Sequence, residues 1–271
     1  MSIQLGSKVR AGRPLDPRLF LTGPWIRILS FIVLLGIWHI ASRYVDPMVL
    51  PSPMRVLEAF WKQMTGEETL YAPMYFHIGM TLFRASVAFF FAMILGGIIG
   101  FVLGRYSRAN HFFDGWVILG LNMPALVIGI LCYIWFGLGE FALILAVVIN
   151  KVPLVAITIR EGAQSIQPDL LQVAQAFRLK RITILRKIYL PQLYPYIMAS
   201  ARAGLALIWK IVLVFELLGR SNGVGFMLSL HFSNFAVYNV LAYAFSFIAV
   251  VMMIESFILR PMERRATRWR M

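Results

Sequence analysis

Lys151, Lys210 and Glu216 stand inside stretches that are otherwise apolar. A charge in hydrocarbon is costly, so such residues normally face a cavity, a partner charge or a solute route. On a helix, Arg202, Ala206, Trp209, Leu213 and Glu216 recur at steps of four, three, four and three and share one stripe, with Lys210 about 100° further round. Asn122 adds an amide two residues before Pro124, a proline that frees a backbone carbonyl and kinks its helix. Two readings are open. In one, Asn122, Lys151, Trp209, Lys210 and Glu216 line a translocation route and the lysines attract an anion. In the other, the lysines snorkel or pair between helices and Trp209 is packing. Bond-making chemistry has no candidate. No glycine-rich phosphate loop precedes any of the six lysines, the zinc-helix and nucleophile-turn motifs are missing, and histidines 39, 77, 111 and 231 are scattered. No catalytic residue, metal ligand set or cofactor is expected in this chain. If ATP drives it, another subunit binds the nucleotide.

The elements that must position these residues are membrane helices. A chain that is 60% hydrophobic and only 14% charged has too few charges for a water-facing surface. Its net charge of +14 is not gathered into a groove-sized patch with interleaved aromatics, so no nucleic-acid partner is expected. The single cysteine, Cys132, excludes an internal disulfide. The first twenty residues are polar and basic, without the apolar core of a cleaved signal peptide. Crossing the hydrocarbon takes about 20 apolar residues. Six segments qualify, near 26–43, 80–104, 115–136, 140–159, 195–217 and 235–259. Most lysines and arginines fall on one side: before the first span, after the second, around 160–202 and after the sixth. The positive-inside rule makes that side, with both termini, cytoplasmic. Trp25, Trp116, Trp135 and Trp269 sit near span ends, as interfacial anchors do.

Outside the spans, Ser52-Pro53 starts a surface helix around 55–64. Gly96, Gly100 and Gly104 clear one face of the second span for close approach of a neighbour. The longest polar stretch is a basic island, Glu161 to Pro191. Gln167-Pro168-Asp169 starts a helix there, carrying Leu170, Ala174 and Phe177 at helical spacing. A second short helix carries Ile182, Leu185, Ile188 and Tyr189 and is expected to stop at Leu190-Pro191. Two short amphipathic helices joined by a turn form a docking surface.

The island resembles the cytoplasmic coupling loop of ABC-importer permeases. Gln172-Val173-Ala174, then Arg178, then Ile188-Tyr189-Leu190-Pro191 match its Glu-Ala-Ala, glycine and hydrophobic-x-Leu-Pro pattern. Leu50-Pro51-Ser52-Pro53, Thr81-Leu82-Phe83-Arg84, Trp135 to Glu140, and Glu216-Leu217-Leu218-Gly219 with Gly223 and Gly225 are similar to the nitrate, sulfonate and taurine branch. The chain departs from the pattern at Gln172, where the family has glutamate, and at Arg178, where it has glycine. Arg178 therefore either continues the helix or takes a positive φ.

The resemblance implies an all-α integral membrane protein of the type I ABC importer permease fold, in a bacterial plasma membrane. It also implies two cytoplasmic ATPase subunits holding the ATP, a periplasmic or lipid-anchored substrate-binding protein, and a second permease subunit, identical or different. Membrane lipid surrounds it. Coupling contacts would come from Leu170, Leu171, Gln172, Ala174, Phe177, Arg178, Leu190 and Pro191. The expected layout is a tail over 1–24, a permease domain over 25–260 containing the 161–191 loop, and a basic tail over 261–271. The solute would be a small anion such as nitrate, a sulfonate or taurine. The alternative is a stand-alone secondary transporter or channel using Lys151, Lys210 and Glu216.

Overall fold

A computed structural model describes residues 24–67 and 70–261. The tails beyond these limits, with Trp269, lie outside the described residues. Two units divide the chain at Arg55/Val56. The first contains α1 (Pro24–Ala41), apolar at almost every position, and a loop in which the Trp38 indole donates to the Pro51 carbonyl at 3.1 Å. The helix expected near 55–64 is α2 (Pro53–Thr65), which from Val56 on belongs to the second unit.

The second unit holds α3 (Met74–Arg105), α4 (Ser107–Asn122), α5 (Ala125–Phe136), α6 (Glu140–Gln164), α7 (Pro168–Ala176), α8 (Arg181–Gly219), α9 (Val224–Ser233) and α10 (Val237–Ile254). Four described helices, α3, α6, α8 and α10 with the turn after it, are long and apolar enough to cross a membrane. The glycine stripe of α3 is where α6 packs. A Cβ on Gly96 would lie 2.6 Å from the Val155 side chain, and one on Gly104 2.5 Å from that of Ala163, while a Cβ on Gly97, round the helix, would meet nothing within 4 Å. Close backbone approach between apolar helices is how small residues hold membrane bundles together.

Two expectations about helix ends need correction. The segment near 115–136 is more sharply bent than a kinked helix: α4 and α5 meet at 94°, the geometry of a broken span or a re-entrant loop. Pro124 pushes the residue before it out of the helical region, and Met123 accordingly has φ −67° and ψ 126°. Leu190-Pro191, read as a stop, does not end a helix. α8 runs from Arg181 through Pro191 to Gly219, 39 residues, because residues Leu185–Tyr189 form a π turn. Wider i→i+5 bonding re-routes the backbone partners just ahead of the proline, whose own missing donor falls in the first turn of the following α segment. The second short helix of the island is thus the first part of the fifth expected span.

Candidate functional site

α8 and α10 flank a half-open cavity of about 350 Å³. Arg202, Ala206, Trp209, Lys210 and Leu213 line it from α8; Phe247, Met252 and Glu255 line it from α10 and the turn after it. The Trp209 and Phe247 rings meet edge to face at 6.3 Å, and Arg202 Nη2 lies 3.8 Å from Glu255 Oε1. A mostly apolar hollow with a few placed charges is the usual form of a small-molecule site. Lys210 is exposed beside it and makes no ion pair with a described residue.

Glu216 continues the stripe but does not line that cavity. It is fully buried one turn on, in a polar clamp joining four segments. Arg84, also fully buried, donates to Glu216 Oε1 at 2.5 Å and to both Glu140 oxygens at 2.6 and 2.7 Å; it also donates to the Asn222 carbonyl at 2.9 Å. Thr81 donates to Glu216 at 2.8 Å, and the Gly225 N–H donates to it at 2.9 Å. Arg220 completes the group by donating to Glu140 at 2.5 Å. Every charge has an opposite neighbour and further hydrogen bonds, the condition under which buried ions are tolerated. Gly223, at φ 106°, crosses so closely that a Cβ there would run into the Glu216 carboxylate and come within 2.6 Å of Arg84 Nη1. Next to the clamp, His77 accepts the Gly223 N–H at 3.1 Å, and Tyr243 packs against both His77 and His231. His231, on the short helix α9, is pushed down to about 4, first by burial and then by the charge of His77.

The island is built differently. Ala174 is 1% exposed, and Leu171 packs on a small core of Ala163, Ile166, Tyr189 and Leu193. Leu170, Val173 and Phe177, at i, i+3 and i+7, form an open apolar ridge in which Phe177 is 76% exposed. α7 ends in a six-residue loop closure: the Leu179 N–H donates to Ala174 O at 2.9 Å and the Arg178 N–H to Gln175 O at 3.0 Å. This is the Schellman pattern, which puts one residue in the left-handed region. That residue is Arg178, at φ 49°, so it takes the positive φ.

The sequence-derived residues thus fall into separate places. Trp209 and Lys210 share the cavity. Lys151 is 6% exposed in α6 and pairs with no described residue, yet it does not line the cavity. Asn122 is exposed at the α4/α5 break, its amide donating to the Ile118 carbonyl at 2.8 Å. Within the island, Leu170, Gln172, Phe177 and Arg178 are exposed, Leu171 and Ala174 face inward, and Leu190 and Pro191 are exposed on α8. Sequence reasoning missed Val173 in the ridge, and Thr81, Arg84 and Glu140 in the clamp. Equal numbers of acids and arginines at neighbouring helix ends, Glu140 and Glu216 against Arg84 and Arg220, were the available signal.

Comparison with known proteins agrees with this architecture. The chain is 27% identical to the taurine transport system permease protein TauC of Escherichia coli (strain K12), over 99% of this chain and 98% of that one. It is 27% identical to a putative aliphatic sulfonates transport permease protein, SsuC, of Bacillus subtilis (strain 168), over 91% and 88%. It is 26% identical to the nitrate import permease protein NrtB of Leptolyngbya laminosa, over 84% and 85%. Among solved structures it resembles an inward-facing MetNI methionine ABC transporter, with a TM-score of 0.64 at 16% identity, covering 72% of this chain and 96% of that one. It also resembles an amino acid ABC transporter, with a TM-score of 0.56 at 18% identity, covering 82% and 99%. These likenesses give the fold of an ABC importer permease. Residues 92–265 match the binding-protein-dependent transport system inner membrane component family, and the chain belongs to that family.

Proposed function

We propose that this chain is the membrane-spanning subunit of an ATP-driven importer for a small anion of the taurine, sulfonate or nitrate kind. The observation that carries the reading is α8 itself. One helical strut, with a π turn at Leu185–Tyr189, runs from a basic, partly open island to a cavity bearing a lysine that pairs with no described residue. Lys210, with the buried Lys151 of α6, supplies positive potential for an anion, and Trp209 and Phe247 supply contact for a short organic part.

In this reading six segments cross the plasma membrane with both termini in the cytoplasm, and a second permease subunit completes the route. A binding protein delivers the solute. Two ATPase subunits hold the ATP and grip the ridge of Leu170, Val173 and Phe177, with Gln172 and Arg178 at its edge. ATP shifts the assembly between two arrangements by favouring one of them. The test is reconstitution of the chain with its ATPase and binding protein, measuring ATP hydrolysis against taurine, alkylsulfonates and nitrate. Stimulation by one of these anions, lost in Lys210→Gln, is expected. No stimulation by any of them would sink the solute class, and gradient-driven flux through liposomes containing this chain alone would replace the ATP-driven reading with secondary transport.

A further inference from the structure

A second cavity, of about 490 Å³, opens between the basic end of α3 and the island. Arg105 and Tyr106 form its lip on the α3 side, and Arg181 stands on the island side. One wall is apolar, with Phe101 and Tyr189 meeting edge to face at 5.1 Å and Leu171 beside them, while the two arginines and Gln175 make the rest of the lining polar. The Arg105 guanidinium lies 5.7 Å from the centre of the Tyr106 ring, which holds the cation at the mouth. None of the lining residues is acidic. The apolar run of α3 ends at Arg105, so the cavity sits where hydrocarbon gives way to water.

Two cations over an apolar wall at that depth match an amphiphile with an anionic head. We propose that the cavity binds an anionic phospholipid of the phosphatidylglycerol kind. Arg105 and Arg181 hold the phosphate, and an acyl chain lies against Phe101 and Leu171. Basic pockets between membrane helices recognise lipid head groups by this combination of charge and depth. A free anion would engage the arginines and leave the wall wet. The bound lipid would staple the island to the end of α3, adding to the contacts that Gly104 makes with Ala163 and Phe101 makes with Tyr189. The binding stands independently of which solute is carried.

The experiment is native mass spectrometry of the full chain in detergent, titrated with monomeric dihexanoyl phosphatidylglycerol, dihexanoyl phosphatidylcholine or inorganic phosphate. Wild-type chain is expected to retain the glycerol lipid in preference to the choline lipid. Arg105→Gln and Arg181→Gln should each weaken that binding about 5-fold and together about 30-fold. Arg108→Gln with Lys187→Gln removes equal charge outside the cavity and should leave the binding unchanged. Equal retention of both lipids, no loss in the double variant, or an equal loss in the Arg108/Lys187 control would overturn the proposal. Displacement of the lipid by inorganic phosphate at matching concentration would assign the cavity to a soluble anion instead and overturn it as well.

Discussion

Near one end of α8, Glu216 is wholly buried and bonded by Arg84, Thr81 and Gly225; at the other end, Arg181, Arg186 and Lys187 lie exposed and the neighbouring Phe177 ring is 76% exposed. The first region satisfies its polar groups within the chain, so separating its helices would leave buried charges without their partners. The second leaves an apolar ridge and several cations without a cover, the condition of a surface completed by another molecule. A transporter needs both. A clamp keeps the helix ends registered, and a lightly held region accepts a push without the bundle coming apart.

Losing the clamp carries the largest expected effect. Glu216→Ala removes one of the two carboxylates that neutralise the buried Arg84, and is expected to cost about 3–5 kcal/mol in the thermal unfolding of the detergent-solubilised chain. An unchanged melting temperature would show that the four segments are held by packing alone. On the island, Val173→Asp with Phe177→Asp should leave stability within about 0.5 kcal/mol of wild type while weakening ATPase co-purification more than about 10-fold. Ala174→Asp, by contrast, should destabilise the chain, because that methyl group faces the core. Arg178→Gly tests the strained turn: relief of a positive φ is expected to stabilise the island by about 1 kcal/mol, read as slower amide exchange over 174–180. The smallest effect is on pH. A buried His231 held near 4 against about 6.5 in the unfolded chain binds fewer protons when folded, so its contribution to stability is full above about pH 6.5 and is lost as pH falls towards 4. Melting curves of His231→Asn should show a shallower fall across that window, and identical slopes would remove His231 from the account.

Much of the membrane architecture could be read from apolar length and small-residue spacing, because lipid imposes those constraints locally. Gly96, Gly100 and Gly104 named their packing face without reference to any other helix. The stripe from Arg202 to Leu213 likewise marked one wall of the cavity, since its period belongs to a single helix. What could not be read is what depends on partners far along the chain. Thr81, Arg84, Glu140, Glu216, Gly223 and Gly225 sit in three motif stretches of the family resemblance, yet nothing in the spacing says that they meet around one carboxylate. The orientation of α7 was ambiguous for a related reason. Leu170, Leu171, Val173, Ala174 and Phe177 cover two faces, and only the core built from Tyr189 and Leu193 decides which faces inward. Pro191 misled because a proline ends a helix only where no wider turn rearranges the bonds ahead of it.

That wider turn has a mechanical consequence. With Leu185–Tyr189 bridging the proline, residues 181–219 make a single strut of 39 residues, roughly 58 Å from tip to tip. With the clamp at Glu216 as fulcrum, a displacement of several ångströms at Arg181 tilts the strut by only a few degrees, and the Trp209–Lys210 hollow, partway along the arm, moves proportionally less. The π turn also breaks the regular i→i+4 ladder at the root of this strut, a feature that recurs at functional positions in helices. One strut can therefore carry the stroke and, at its root, the give that keeps the stroke from tearing the bundle.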